Sequence, residues 1–377
     1  MKIALVLFDW FAYGGLQRDC RRIGESLLAA DCAVDVLCMS WEGPVPEGFN
    51  RVMPEIRTRN KVAARNRFAA FLADHLASHS YAAVIGFNRL PGLDFYFAAD
   101  TCFAWKATRE RNLFYRWAPR SRQYLAFERA VFGPSARTQL LMLSPLQKQE
   151  FLACYPQSEA RMTDIPPGIA RDRMAPDDAS EVRREFRREF SIAADDLVLL
   201  QVGSSHPIKG VDRSLAAIAA LPEGLRQRVH YFLLGPDRHQ RHASEARQLG
   251  IESGVTILDQ RNDLPRFYQG ADLLLQPSRK ESAGMVLLEA IVAGLPVLAT
   301  ATCGYAFHVE KAGAGVVVPA PFSQQTMNER LVYMLNADRT PWRNNGIAYG
   351  RQGDFYDMPD RVAQRVLDAA GKSDHGH

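Results

Sequence analysis

Twice along these 377 residues an apolar strand gives way to a glycine-bearing loop and then to helical periodicity. That repetition limits the fold more than any other feature. Ile3 to Phe8 is a continuous apolar run, Asp9 to Gly15 is a loop, and Leu16, Ile23, Leu27 and Leu28 mark a helix ending near Ala29. Val34 to Leu37 adds a strand, with further strands predicted at Arg51–Glu55, Ala83–Phe87 and Gln139–Leu143 and a helix from Val62 to His79. Strands apolar on both sides and joined through helices belong in a parallel sheet. After Asp177 to Glu189, a charged surface helix, the alternation restarts at Leu197–Val202 and continues through Val229–Leu234, Val255–Leu258 and Leu273–Gln276. Between the two runs lies Thr163 to Gly168, where Pro166 and Pro167 stop any regular element. The reading is α/β, with similar domains at residues 1–165 and 166–340 and a C-terminal segment at 341–377. The length suits two cores better than one.

An apolar fraction of 47% is ordinary for a globular chain, and a net charge of +4 is too weak to argue for nucleic acid. The distribution of charge says more. Arg51, Arg57, Arg59, Lys61, Arg65 and Arg67 stand against Glu55 alone. Lys106, Arg109, Arg111, Arg116, Arg120, Arg122 and Arg129 stand against Glu110 and Glu128, within an aromatic, helical stretch from Phe103 to Phe132. Such a mixture suits an anionic lipid surface; RNA stacking has no motif to support it. The six cysteines are scattered, which fits free thiols in a reducing compartment. His239 and His242 lack a third ligand of coherent spacing, so no metal site is expected. No stretch approaches the ~20 apolar residues of a spanning helix, and MKIALVLFDW reads as a buried strand, not a signal peptide. The expectation is a cytosolic protein, touching a membrane from that side.

The chemistry concentrates in Gln276 to Ala299, QPSRKESAGMVLLEAIVAGLPVLA. A strand ends at Pro277 and Ser278, Glu281 to Gly284 forms a turn, and Met285 to Val292 reads as a helix. Glu281 lies outside the carboxyl end of a strand, where α/β folds bind ligands. Glu289 interrupts an apolar run and needs a partner there. The alternatives are an acid favoured by the helix dipole and a solvated face residue. Lys209 follows another strand and precedes Gly210 and a helix, a place suited to phosphate oxygens or to a solvated loop lysine. Gly14 and Gly15 open the first long helix, as a tight turn or as a close approach to an anion. Asp19, one turn on, is open between a salt bridge in the Arg18 or Arg22 neighbourhood and a ligand-facing role.

The pair Glu281 and Glu289, with Gly284 between them and GLPV behind, resembles the signature of retaining nucleotide-sugar glycosyltransferases of the GT-B fold. That fold places two Rossmann-like domains facing each other across a cleft. The resemblance implies that Glu289 holds the ribose, that Glu281 approaches the donor hexose, and that Ala283, Gly284, Met285 and Val286 line the donor between them. Gly14 and Gly15 match the loop facing diphosphate and acceptor, which gives Asp19 an acceptor-facing role. Lys209 would grip the diphosphate. The family arginine that accompanies this lysine is replaced by Ser204, so a second cation is wanted; Arg261, with Asp263 beside it, and Arg173 are the candidates. A first-domain histidine common in the family is also missing, and Asp100 stands in the comparable region, either as a sugar ligand or as the cap of the next helix.

Further blocks, among them GGLQRD, SWEG, GFN-x-x-PGLD-x-YFAAD and KGVDRS, resemble the bacterial lipopolysaccharide core glucosyltransferases over nearly the whole chain. The implied reaction moves glucose from UDP-glucose to an inner-core heptose, α-1,3-linked and with retention, needing no metal. Another UDP-hexose or UDP-N-acetylhexosamine donor, or a UDP-sugar epimerase or hydrolase, is the alternative. The implied acceptor is heptosylated lipid A–core at the cytoplasmic face of the inner membrane. Phe103–Phe132 would meet its anionic phospholipids, and the C-terminal segment would cross back onto the first domain.

Overall fold

The computed structural model describes residues 1–11, 14–237 and 239–374, so two residues of the first loop lie outside the described residues. The chain forms two compact units, Met1–Gly168 with Asp357–His377, and Ile169–Tyr356.

In the first unit β1 (Lys2–Val6) leads through β2 (Asp9–Trp10) and α1 (Gly15–Ala29) to β3 (Ala33–Leu37). Then come β4 (Ser40–Trp41), β5 (Phe49–Val52), α2 (Lys61–Ser78), β6 (Ala83–Gly86) and β7 (Phe95–Phe97). α3 (Phe103–Trp105), α4 (Pro119–Phe132), β8 (Gln139–Met142), α5 (Pro145–Cys154) and β9 (Met162–Asp164) follow. Seven parallel strands run in the order β5-β3-β1-β6-β7-β8-β9. The order reverses between β1 and β6, which opens a crevice at their carboxyl ends. Alternation along β1 divides its side chains between two cores. Ile3 and Leu5 pack with Ile23 and Leu27 of α1. Ala4 and Val6 pack with Phe68 and Leu72 of α2 and Val131 and Phe132 of α4.

The second unit contains α6 (Ala179–Glu189), β10 (Leu197–Val202), α7 (His206–Lys209), α8 (Val211–Ala219), α9 (Glu223–Arg226) and β11 (Val229–Leu234). α10 (His239–Gln248), β12 (Val255–Leu258), α11 (Leu264–Gly270), β13 (Leu273–Gln276) and α12 (Met285–Val292) come next. β14 (Val297–Thr300), α13 (Ala306–Ala312), β15 (Gly315–Val318), α14 (Gln324–Asn336) and α15 (Thr340–Gln352) complete it. Its six parallel strands run β12-β11-β10-β13-β14-β15, reversing between β10 and β13. The last helix, α16 (Met358–Asp374), belongs to the first unit, where Val362 and Val366 join the core beneath α1.

Several predicted elements are placed differently. The strand expected at Arg51–Glu55 is β5, Phe49–Val52, because its register with β3 ends at Leu37↔Val52 and Pro54 has no N–H to extend the ladder. Thr163 and Asp164 are not linker but part of β9, paired with β8. Phe103 to Phe132 is not one helix: a π-helical turn at Lys106–Glu110 and a 3-10 turn at Leu113–Trp117 separate α3 from α4, which starts at Pro119. Proline cannot supply the N–H of a helix interior and suits a first turn. Residues 341–356 do not cross back; α15 packs on α12 within the second unit, and the crossing starts at Asp357. Among the described residues, no helix is long and apolar enough to cross a membrane.

Candidate active site

The two loops that leave β10 and β13 flank the strand-order reversal of the second sheet. They are bound tightly to each other. Gly210, at φ +71°, has Pro277 O where a Cβ would sit, 2.2 Å away, so no side chain fits between the loops. Arg279 N–H donates to Ile208 O at 2.7 Å, and the Arg279 guanidinium donates to Pro207 O at 2.8 Å while pairing with both oxygens of Asp212 at 2.8 and 2.7 Å. Gln201 Nε2 donates to Lys209 O at 2.8 Å. This geometry brings Lys209 Nζ within 2.5 Å of Glu281 Oε2.

Glu281 is held on its other oxygen too. Ser278 Oγ donates to Oε1, and Gln276 Nε2 donates to the same atom at 3.2 Å. Burial alone would push the Glu281 carboxyl up, yet the Lys209 charge and the hydrogen bonds from Lys209, Ser278 and Gln276 outweigh it and hold the carboxyl below its ordinary value. Gly284, at φ +87°, caps α12 next to it. Ala283 and Val286 are buried, whereas Met285 is half-buried at the start of the helix.

α12 is enclosed on every side from Val286 to Val292, which removes the solvated-face reading of Glu289. A carboxylate there requires partners. Tyr268 Oη donates to Glu289 Oε2 at 2.8 Å, and Arg173 Nε lies 3.7 Å from Oε1. Arg173 is therefore joined to the motif through Glu289. Arg261 is not brought to Lys209 by any described contact: its guanidinium pairs with Asp263 at 2.8 and 2.7 Å, the loop pairing open to it from sequence.

In the first unit the loops after β1 and β6 flank the corresponding reversal, and Phe8 N–H donates to Asn88 Oδ1 at 2.7 Å. Gly14 precedes the first residue of α1, and a Cβ on it would meet Gln17 Oε1 at 1.7 Å. Among the described residues, nothing lies within 4 Å of a Cβ built on Gly15. Asp19 is 8% exposed, with Arg18 Nε 3.6 Å away, which gives it the salt-bridged environment instead of an open face.

Asp100 does not cap the following helix. Cys102 occupies the cap of α3, with Trp105 N–H donating to its Sγ at 3.4 Å, while Phe103 and Ala104 N–H donate to Glu128 at 2.6 and 2.8 Å. Asp100 stays half-buried, 3.6 Å from Arg89 Nη2. The buried Arg89–Glu128 pair escapes a reading of the sequence. Its one signal is an acid inside the apolar end of α4.

The Phe103–Phe132 segment has an inner and an outer side. Phe103 stacks on Tyr124 at 5.0 Å, and Arg65 donates to Tyr124 Oη at 2.6 Å. Phe114 and Trp117 are 83% and 76% exposed among Arg111, Arg120 and Arg122.

A family model described as "Glycosyl transferases group 1" matches residues 182–352. The lipopolysaccharide glucosyltransferase WaaG of Escherichia coli K12 is 40% identical over 368 residues, 97% of this chain and 98% of that one. The chain belongs to the group 1 glycosyl transferases. A crystal structure of WaaG, "a glycosyltransferase involved in lipopolysaccharide biosynthesis", matches this group 1 transferase with a TM-score of 0.93 over 97% of this chain and 99% of that one. The fold is accordingly GT-B. Sucrose-phosphate synthase from Thermosynechococcus elongatus, 20% identical with a TM-score of 0.78 and covering 100% of both chains, shares the fold alone.

Proposed function

We propose that this glycosyltransferase moves glucose from UDP-glucose to an inner-core heptose of lipopolysaccharide, forming an α-1,3 linkage with retention. The observation that carries the reading is the Lys209–Glu281 pair at the strand-order reversal of one sheet, followed in α12 by the buried Glu289 with Arg173 and Tyr268 at its carboxylate. The likeness to the WaaG lipopolysaccharide glucosyltransferase supports the sugar and the acceptor class. Glu289, steadied by Tyr268 and Arg173, takes the ribose hydroxyls; Glu281 takes hydroxyls of the hexose, with Ala283 to Val286 lining the donor.

In the transfer step the acceptor oxygen bonds to the anomeric carbon as the bond from that carbon to the β-phosphate oxygen breaks. The acceptor hydroxyl proton passes to the departing phosphate on the same face, which preserves the anomeric configuration. Negative charge grows on the phosphate, and a cation aimed there stabilises the transition state more than the ground state. Lys209 supplies it. The Gly14–Gly15 loop and Asp100 serve the acceptor, while Asp19 acts from within α1. No metal is required for these roles, so chelation by EDTA leaves turnover unchanged.

The protein works at the cytoplasmic face of the inner membrane, held to anionic lipid by Phe114, Trp117 and the arginines around them. The test is incorporation of label from UDP-[14C]glucose with and without heptose-bearing lipopolysaccharide. Acceptor-dependent incorporation supports the reading. Equal donor consumption without acceptor would make the protein a hydrolase, and preference for another UDP-sugar would replace glucose. Co-sedimentation with anionic but not neutral vesicles tests the attachment.

A further inference from the structure

Glu281 differs from an ordinary site carboxylate in how completely one of its oxygens is enclosed. Oε1 accepts from Ser278 Oγ, from Gln276 Nε2 at 3.2 Å and from Cys303 Sγ at 3.8 Å. Ser278 and Gln276 are 0% exposed, and Cys303 is 1% exposed. The amide of Gln276 also donates to Ser278 Oγ at 3.3 Å, so the hydroxyl accepts one hydrogen bond while donating the other. That direction is fixed chemically: a flipped amide would turn its oxygen toward a carboxylate. The backbone of Glu281 is fixed as well, its N–H donating to Thr302 O and its carbonyl accepting from Gly304 N–H, each at 3.1 Å. Oε2, by contrast, has Lys209 Nζ beside it, on a side chain 19% exposed.

We propose that Ser278, with Gln276 behind it, is a positioning residue of the transferase: it locks Oε1 of Glu281 inside the protein, so that Oε2 alone turns with Lys209 toward the donor. This rests on the donor-side role given to Glu281 above. A carboxylate oxygen that accepts three donors cannot also carry a proton pointing into them, and a proton on Oε2 would meet the Lys209 ammonium at 2.5 Å, so the two together favour the ionised form. The depressed carboxyl agrees with that. Lys209 and Cys303 are the titratable side chains facing Glu281; the Cys303 thiol is pushed up to about 12, first by burial and then by the Glu281 charge, and stays a neutral donor.

The experiment is a double-mutant cycle on the full chain, with transfer from UDP-glucose to heptose-bearing lipopolysaccharide followed across pH. Ser278→Ala is expected to lower kcat about tenfold, equivalent to roughly 1.4 kcal/mol of barrier, and to move the acid limb of kcat/KM upward. In a Glu281→Gln background the same substitution is expected to change the residual rate less than about twofold, because the carboxylate it acts through is gone. Ser278→Thr, which keeps the hydroxyl, restores the acid limb. Equal factors in both backgrounds, or a folded Ser278→Ala with wild-type rate and acid limb, overturn the proposal. If Ser278→Ala does not fold, Gln276→Met carries the same cycle with a smaller expected factor and the same criterion. A wild-type rate in Glu281→Gln alone overturns the donor-side role of Glu281, and with it the proposal; a defective Glu281→Gln with additive factors overturns the proposal alone.

Discussion

Glu128 in the first unit is buried and Glu281 in the second is nearly so, and each is paired with a cation, Arg89 and Lys209. They differ in what else holds them. Glu128 is 0% exposed and receives the backbone N–H groups of Phe103 and Ala104, the Tyr155 hydroxyl at 3.1 Å and Arg89, which itself is 6% exposed. Both of its oxygens are taken by groups of the fold, and it ties the start of α3 to α4. Glu281 has one oxygen taken in the same manner and the other left with a partly exposed lysine. A buried ion pair is therefore not a sign of chemistry by itself. The useful sign is asymmetry between the two oxygens of one carboxylate.

Substitution separates the two cases. Glu128→Ala strands the buried Arg89 charge and is expected to cost about 3–5 kcal/mol, lowering the melting temperature by roughly 10 °C in scanning calorimetry. A loss below about 1 kcal/mol would place Glu128 with surface pairs and dissolve the contrast. Lys209→Ala is expected to lower kcat by ~10²-fold or more while shifting melting less than Glu128→Ala does. Steady-state kinetics with kcat unchanged would make the Lys209–Glu281 pair structural, like its counterpart. The smallest effect concerns acid. The Glu281 carboxyl lies below its ordinary 4.5 in the folded state. Its stabilising contribution is thus complete above about pH 4.5 and lost as pH falls through the folded value. Denaturant titrations should show Glu281→Gln losing stability less steeply below that pH than the parent; identical slopes would mean the pair contributes nothing to folding.

The same contrast explains what was legible in the sequence. Apolar runs bounded by Pro, Gly and Ser marked β1, β10 and β13, because a strand buried on both faces carries its signal locally. Glu281, Glu289 and Lys209 stood out through their places beside strand ends. Of the two candidate cations, Arg173 is the one that meets Glu289, while Arg261 is paired with its neighbour Asp263. The role of Glu128 was hidden, since its partners lie 24 to 39 residues away in the chain, on both sides, and meet it only through tertiary packing. β7 and β9, three residues each, are too short to show a period. The breaks between α3 and α4 were hidden by apolar and basic residues that continue through them.

The placement of α16 has a consequence for how the protein is made. Val362 and Val366 complete the core under α1, and Ser26 Oγ donates to Asp360 at 2.6 Å, so the first unit contains a part that follows the whole second unit in the chain. The second unit, Ile169–Tyr356, has both of its ends hydrogen-bonded together, Ile169 N–H to Phe355 O at 2.9 Å, and is contiguous. During synthesis, where domains generally fold as units, the later unit can close first. The earlier one completes its core only once α16 has been made, so the apolar surface that Val362 and Val366 cover stays open until the end of synthesis.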